Sequence, residues 1–127
     1  MVLHTVEMDC RAGPLAPRRA RAFVATAVKA WGLADLVERA ELLTSEVVTN
    51  AIVHAHGPVH LVVEAQSSSV VVEVKDATAP THAVVEDEEV AEADHGRGMV
   101  LVDALSDRWG CWEVDGGKVV WFALLAA

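Results

Sequence analysis

The chain has 127 residues, 53% of them hydrophobic, and its 19 acidic and 10 basic side chains give a net charge of -9. This apolar content excludes intrinsic disorder and is typical of one globular domain. The longest unbroken apolar run, residues 119–127, is far shorter than the roughly 20 residues of a transmembrane helix. Because the first residues carry no secretion signal, we expect a cytoplasmic protein without a membrane partner. The acidic excess would repel a phosphate backbone, which argues against direct binding of nucleic acid.

Apolar residues recur with two different spacings, two residues in the predicted strands and three or four in the predicted helices. Pro17 suits the first turn of a helix, Gly32 ends that helix, and Gly57-Pro58 ends the next one. In chain order, the predicted elements are a strand over 2–8, helices over 17–31 and 34–56, strands over 59–65 and 70–75, a helix over 96–105, and strands over 109–114 and 118–125.

Residues 77–95 interrupt this periodicity. Most of them are polar or small, and six acidic side chains crowd into 86–94, so an acidic loop is predicted here. Paired strands mixed with helices predict a single α+β domain over residues 1–127. The expected architecture is a two-layer sandwich, in which helices cover one face of a mixed, mainly antiparallel sheet.

The second predicted helix carries a polar stripe. Glu46, Asn50 and His54 follow one another at four-residue steps, which places each about 40° around the helix from the last. Apolar residues such as Val47 and Ile52 occupy the opposite arc, which must face the sheet. From spacing alone, such a stripe is more often the solvated side of an amphipathic helix than a functional site.

Two further motifs follow the stripe. Asp76 ends a predicted strand, and Gly96-Arg97-Gly98-Met99 begins the next predicted helix. With the segment 46–54, these motifs resemble, in order and spacing, the N, G1 and G2 boxes of the Bergerat-fold (GHKL) ATP-binding family, which includes histidine kinases and type II topoisomerases. The chain resembles in particular the small anti-sigma factor serine kinases of bacteria, and the likeness covers nearly its whole length.

The resemblance implies a histidine-kinase-like ATP-binding domain and a role for each motif. Glu46 would be the catalytic base, Asn50 would hold a magnesium ion, and Asp76 would accept a hydrogen bond from the adenine of ATP. Taken singly, Asp76 would instead be interpreted as a solvated acid at a strand end. Residues 77–95 would form the ATP lid. The other implied nucleotide-binding residues are Gly96, Arg97, Gly98 and Met99.

The function that the resemblance implies is that of an ATP-binding regulatory protein, an anti-sigma factor serine/threonine kinase. Such a protein sequesters a sigma factor and phosphorylates an anti-anti-sigma antagonist, so both proteins are implied partners. Dimerisation is implied in the same way. ATP and Mg²⁺ are the implied cofactors.

Two features favour an alternative, a sequestering module on the same fold that binds nucleotide weakly or performs no chemistry. The G1 box usually continues Asp-x-Gly-x-Gly, whereas here Asp76 is followed by Ala77-Thr78-Ala79-Pro80. A Cβ atom therefore lies where the backbone usually crowds the nucleotide. The acidic side chains of 86–94 would also repel a triphosphate if they folded over it.

Two smaller clusters lead to separate hypotheses. The histidines at positions 54, 56 and 60 have a spacing that a transition metal could use, although neither a cysteine nor a carboxylate completes the set. The arginines at positions 18, 19 and 21 of the first predicted helix would form a basic edge that could dock an acidic partner.

Overall fold

The predicted order of strands and helices is confirmed by the structure, a computed structural model that describes residues 1–55, 57–76, 100–114 and 117–126. A 3-10 turn, Ala34–Leu36, takes up the start of the second predicted helix, and residues 100–105 are helical. The remaining elements are β1 (His4–Cys10), α1 (Ala16–Ala30), α2 (Val37–Ala55), β2 (Val59–Gln66), β3 (Ser69–Asp76), β4 (Arg108–Val114) and β5 (Gly117–Leu125).

The five strands form one sheet in the order β1-β2-β3-β5-β4. All four pairings among these described strands are antiparallel, which agrees with the mainly antiparallel sheet that the sequence predicts. Strands β2 and β3 form the predicted hairpin, with Gln66 opposite Ser69 across a two-residue turn. The last strand, β5, lies between β3 and β4.

Alternate residues of each strand lie on opposite faces of the sheet. On one face, here called the helix face, the side chains of the central strands join the hydrophobic core with those of both helices. Helix α1 packs against β1 and β2, and α2 packs against β2, β3 and β5, so both helices cover this face as predicted. The core residues of the central strands are Leu61, Val63, Val70, Val72, Val74, Val120, Phe122 and Leu124.

The opposite face, here called the open face, carries the other half of the strand residues. The helices of the described part of the chain do not pack against it, and its composition is divided. Its β1–β2 half is mostly polar, whereas its β4–β5 half is mostly apolar. Among its residues are Glu7, Asp9, His60, Glu64, Val71, Glu73, Lys75, Arg108, Gly110, Trp112, Val119, Trp121 and Leu125.

The two helices begin and end where the local sequence dictates. Helix α1 has proline in its first turn and is followed by Gly32, whose φ of 78° lies in the left-handed region that glycine adopts most easily.

Leu43 and Val47 of α2 and Val24 and Val28 of α1 are fully or almost fully buried in the shared core. Within the described ranges, neither helix is long and apolar enough to span a membrane.

Candidate functional site

Two members of the polar stripe predicted for α2, Glu46 and Asn50, are not freely solvated. Glu46 and Asn50 lie one helical turn apart and both are half-buried. Val47 and Val48 on the opposite arc are buried in the core, as the periodicity predicted. The helix therefore holds a carboxylate and an amide side by side at a partly desolvated position.

Asp76 is the last residue of β3 and points to the helix face, because it continues the alternation of Val72 and Val74. Its side chain is only 7% exposed, which rules out a solvated acid at a strand end. The Oδ1 atom of Asp76 accepts a hydrogen bond from the backbone N–H of Lys118 at 3.2 Å. Burying a carboxylate without a donor would be costly, so this bond fixes Asp76 at its position.

Chain connectivity brings the stripe and Asp76 to the same end of the sheet. Strand β2 begins four residues after α2 ends, and its first residue, Val59, lies directly opposite Asp76. Helix α2 also packs against β3 itself. The half of α2 that carries Glu46 and Asn50 therefore approaches the end of the sheet where Asp76 lies. These three side chains supply only oxygen acceptors and amide donors, the groups suited to a hard cation and to a nucleotide.

The predicted lid over 77–95 lies outside the described residues, as do the predicted nucleotide-binding residues Gly96, Arg97, Gly98 and Met99. The predicted helix that follows is confirmed over 100–105, where Val102 is buried in the core. Arg39 of α2 holds the end of this helix. Its Nη1 atom donates to the carbonyl oxygen of Leu105 at 3.2 Å and lies 3.6 Å from Asp107.

The predicted basic edge on α1 is smaller than the sequence suggested. Arg18 and Arg19 are exposed, but Arg21 is half-buried and its Nη1 atom donates to the hydroxyl of Ser45 at 3.1 Å. Ser45 immediately precedes Glu46 in α2. Arg21 therefore ties α1 to α2 beside the polar stripe instead of presenting its whole guanidinium to solvent.

His60 has a different role from the metal ligand suggested by its spacing. On the open face, its Nδ1 lies 2.7 Å from Asp9 and its Nε2 lies 2.9 Å from Glu7. Both carboxylates can only accept hydrogen bonds, so the ring donates from both nitrogens in its protonated form. The hydrogen bond to Asp9 is the main cause that raises the pKa of His60, and the bond to Glu7 adds to it.

A metal at His60 would have to displace these two carboxylates from its ring nitrogens. A search of the described residues finds no group of three or more histidine, cysteine, aspartate or glutamate side chains that could hold a metal ion. His56, a second member of the suggested triad, lies outside those residues, as does the side chain of His54.

The hydrogen-bond partners of Asp76 and His60 cannot be predicted from the sequence, and the reason is physical. Lys118 holds Asp76 only because β5 lies next to β3, and no local pattern specifies which distant strands pair. Glu7 and Asp9 reach His60 because β1 pairs with β2 across about 50 residues of chain. In both cases the alternation along the strand predicts which face of the sheet the side chain occupies, but it does not predict which strand lies beside it.

A family model described as a histidine kinase-like ATPase domain matches residues 10–124 of this chain. The matched range runs from the end of β1 to the end of β5 and contains Glu46, Asn50 and Asp76. It also contains the candidate residues that lie outside the described part. A comparison with curated proteins gives no match.

Proposed function

Because the chain belongs to the histidine kinase-like ATPase family, whose fold is built to bind ATP, we propose that it is an anti-sigma factor serine/threonine kinase. In this proposal it sequesters a sigma factor and phosphorylates an anti-anti-sigma antagonist. The observation that supports it most is the buried Asp76 carboxylate, held by Lys118 at the end of the sheet that the Glu46–Asn50 stripe approaches.

Asp76 would select the base of the nucleotide. A carboxylate is an acceptor only, and the bond from the Lys118 N–H keeps this one in a fixed orientation on the helix face. Adenine carries an amino group, a donor, where guanine carries a carbonyl oxygen, an acceptor. Asp76 would therefore accept a hydrogen bond from adenine and repel the carbonyl of guanine.

Asn50 would hold the magnesium ion that accompanies ATP. Magnesium prefers oxygen ligands and retains several waters, so one amide oxygen together with phosphate oxygens can bind it without a cage of carboxylates. The half-buried position of Asn50 on α2 suits this role, since a partly desolvated amide is a better-oriented ligand than one on a freely moving surface side chain. The bound ion would neutralise charge that develops on the phosphates.

Glu46, one turn before Asn50, would act as the general base. The hydroxyl oxygen of a serine or threonine attacks the γ-phosphorus of ATP, the new O–P bond forms, and the bond to the bridging oxygen breaks so that ADP leaves. Glu46 accepts the proton of the attacking hydroxyl. Within the described residues Glu46 forms no ion pair with a cation, so its carboxylate is not neutralised by a neighbour there.

The kinase proposal is tested with labelled ATP and the antagonist protein that the chain binds. We expect label to appear on a serine or threonine of the antagonist. Glu46→Gln should reduce the rate by about 100-fold or more, the usual contribution of a general base, while ATP binding is kept. Glu38→Gln, an exposed glutamate in the first turn of the same helix, is the matched control and should leave the rate unchanged. Unchanged transfer by Glu46→Gln would remove Glu46 from the mechanism.

The sequestering module is the second candidate, favoured by the absence of glycine in the sequence Ala77-Thr78-Ala79-Pro80 after Asp76. It would hold a partner with or without nucleotide and transfer no phosphate. The same labelled-ATP experiment separates the two. Sustained phosphorylation of the antagonist excludes a purely sequestering role, whereas a stable complex without any transfer of label contradicts the kinase proposal.

A further inference from the structure

Two tryptophans form an aromatic surface on the open face, over β4 and β5. Gly110 makes room for one of them, because a Cβ atom there would lie 2.8 Å from the Nε1 of Trp121. The indole of Trp121 therefore lies directly over the backbone of β4. Trp112 is its neighbour, with ring centroids 6.4 Å apart and ring planes tilted by 50°. Trp112 is 44% exposed, so the pair can be reached from solvent.

Two carboxylates lie beside this aromatic surface. Glu73 of β3 is directly opposite Trp121, and Glu64 of β2 lies on the same face, diagonal to Glu73. Burial raises the pKa of the Glu73 carboxyl, and the negative charge of Glu64 raises it further. Lys75 and Arg108 are on the same face, but neither forms an ion pair with Glu64 or Glu73 within the described residues.

Among the described residues, Glu64 and Glu73 are therefore not paired with a cation beside the electron-rich rings of Trp112 and Trp121. Like charges on neighbouring strands destabilise a sheet, and a partly buried carboxylate without a cation is unfavourable. The faces of indole rings attract cations, and an arginine guanidinium can stack on such a ring while it donates to a carboxylate. A guanidinium between Trp121 and Glu73 would stack on the indole ring and neutralise the carboxylate at the same time.

We propose that the open face around Trp112, Trp121 and Glu73 is a docking surface for an arginine-bearing segment of a partner protein. The partner's arginine stacks on the indole pair and pairs with Glu73, while an adjacent apolar side chain covers Val71 and Leu125. Leu125 is 52% exposed and Val71 is half-buried, and both lie on the same face.

This surface does not depend on the proposed kinase activity. Asp76 and the residues of the polar stripe lie on the helix side of the sheet, whereas Trp112, Trp121 and Glu73 lie on the other side. A partner could therefore dock here whether or not nucleotide is bound. Loss of ATP binding would contradict the proposed function and leave this inference intact.

The four tryptophans provide the experiment with internal controls. Trp31 and Trp109 pack against the core on the helix side, where Trp31 stacks on His4 and Trp109 donates from its indole to Asp103. We would titrate the isotopically labelled protein with the peptide acetyl-Leu-Arg-Leu-amide and follow the four indole N–H signals by NMR. Saturable shifts are expected for Trp112 and Trp121, and none for Trp31 and Trp109.

A matched peptide with citrulline in place of arginine tests the charge, since citrulline has nearly the same shape and no positive charge. We expect its affinity to be lower by about fivefold or more, the factor that corresponds to roughly 1 kcal/mol for one cation–π contact. Glu73→Gln should weaken binding of the arginine peptide by a similar factor. Glu38→Gln on α2 is the control for the protein and should bind the peptide as the wild type does.

Four results would overturn the inference. Equal shifts with the citrulline peptide would show that the positive charge is not recognised. Undiminished binding by a Glu73→Gln protein with an intact spectrum would show that the Glu73 carboxylate does not bind the arginine. Trp112 and Trp121 signals that move with protein concentration in the absence of peptide would show instead that a second copy of the chain covers this face. Trp112→Leu, which keeps an apolar side chain but removes one indole, provides a second variant. It should weaken binding of the arginine peptide by about fivefold, and undiminished binding would contradict stacking on the indole pair.

Discussion

The two faces of the sheet are made from the same five strands but stabilise charge in different ways. On the helix face the buried carboxylate of Asp76 is held by a backbone donor, the N–H of Lys118. On the open face the carboxylates of Glu7 and Asp9 are held by a titratable side chain, His60, and Glu73 lacks a cation within the described residues. The helix face thus holds its carboxylate with a backbone donor that does not titrate, whereas the open face holds two carboxylates with an imidazole that does.

The largest expected effect tests whether the two faces differ in packing. Leu43→Ala on the helix face should cost about 2–5 kcal/mol of unfolding free energy, because Leu43 is fully buried and its removal leaves a cavity. Leu125→Ala on the open face, the matched change at a 52% exposed position, should cost only about 0.5 kcal/mol. Urea denaturation measures both, and equal losses would contradict the division of the sheet into a core face and an open face.

An intermediate effect is expected at Gly110. A methyl group there would lie 2.8 Å from Trp121, so Gly110→Ala must displace the indole at a cost of about 1–3 kcal/mol, the usual range for overpacking. The displaced ring should also change its fluorescence. In a Trp121→Leu background the smaller side chain leaves space, and Gly110→Ala should then cost much less. An equal cost in both backgrounds would show that Trp121 does not lie over Gly110.

The smallest effect concerns the pH dependence of the contacts between β1 and β2. The pKa of His60 is raised in the folded protein, so the protonated ring contributes its full stabilisation when the pH is below the ordinary histidine pKa of about 6.5. That contribution is lost as the pH rises through the raised value. With a histidine side chain that is 36% exposed, it is worth less than about 1 kcal/mol after solvent screening.

His60→Gln checks this sign. We expect the stability difference between wild type and variant to be largest near pH 6 and to shrink as the pH increases towards 9. The difference is measured by urea denaturation at several pH values. His4→Gln, on the helix face and stacked on Trp31, controls for the loss of a histidine in the same sheet. A difference that grows with pH would contradict the assignment of a protonated ring between Glu7 and Asp9.

The sequence predicted what local periodicity controls. The alternation in β2 and β3, the hairpin between them and the two arcs of α2 follow from spacing alone, and the structure confirms them. Glu46, Asn50 and Asp76 are predicted site residues because their motifs occur in order along the chain. Local periodicity does not predict which distant strands pair, because the position of β5 next to β3 depends on the packing of the whole sheet.

Contacts from distant elements could not be predicted for the same reason. The spacing of His60 to two other histidines only left a metal site open as a minor alternative, and its contacts with Glu7 and Asp9 come from β1. Arg21 suggested an exposed charge because the position of α2 was unknown, and it donates to Ser45 instead. Side chains whose partners are local could be assigned from the sequence, whereas those whose partners are distant could not.

Calorimetry of Mg-ATP binding tests most directly whether Asp76 on the helix face belongs to an adenine nucleotide site. We expect the wild type to bind ATP in preference to GTP and Asp76→Asn to lose ATP binding, because an amide cannot reproduce the acceptor geometry of a carboxylate held by Lys118. Asp35→Asn, at an exposed position before α2, should bind ATP as the wild type does. Undiminished ATP binding by a folded Asp76→Asn protein, or no binding by the wild type at millimolar nucleotide, would contradict the account.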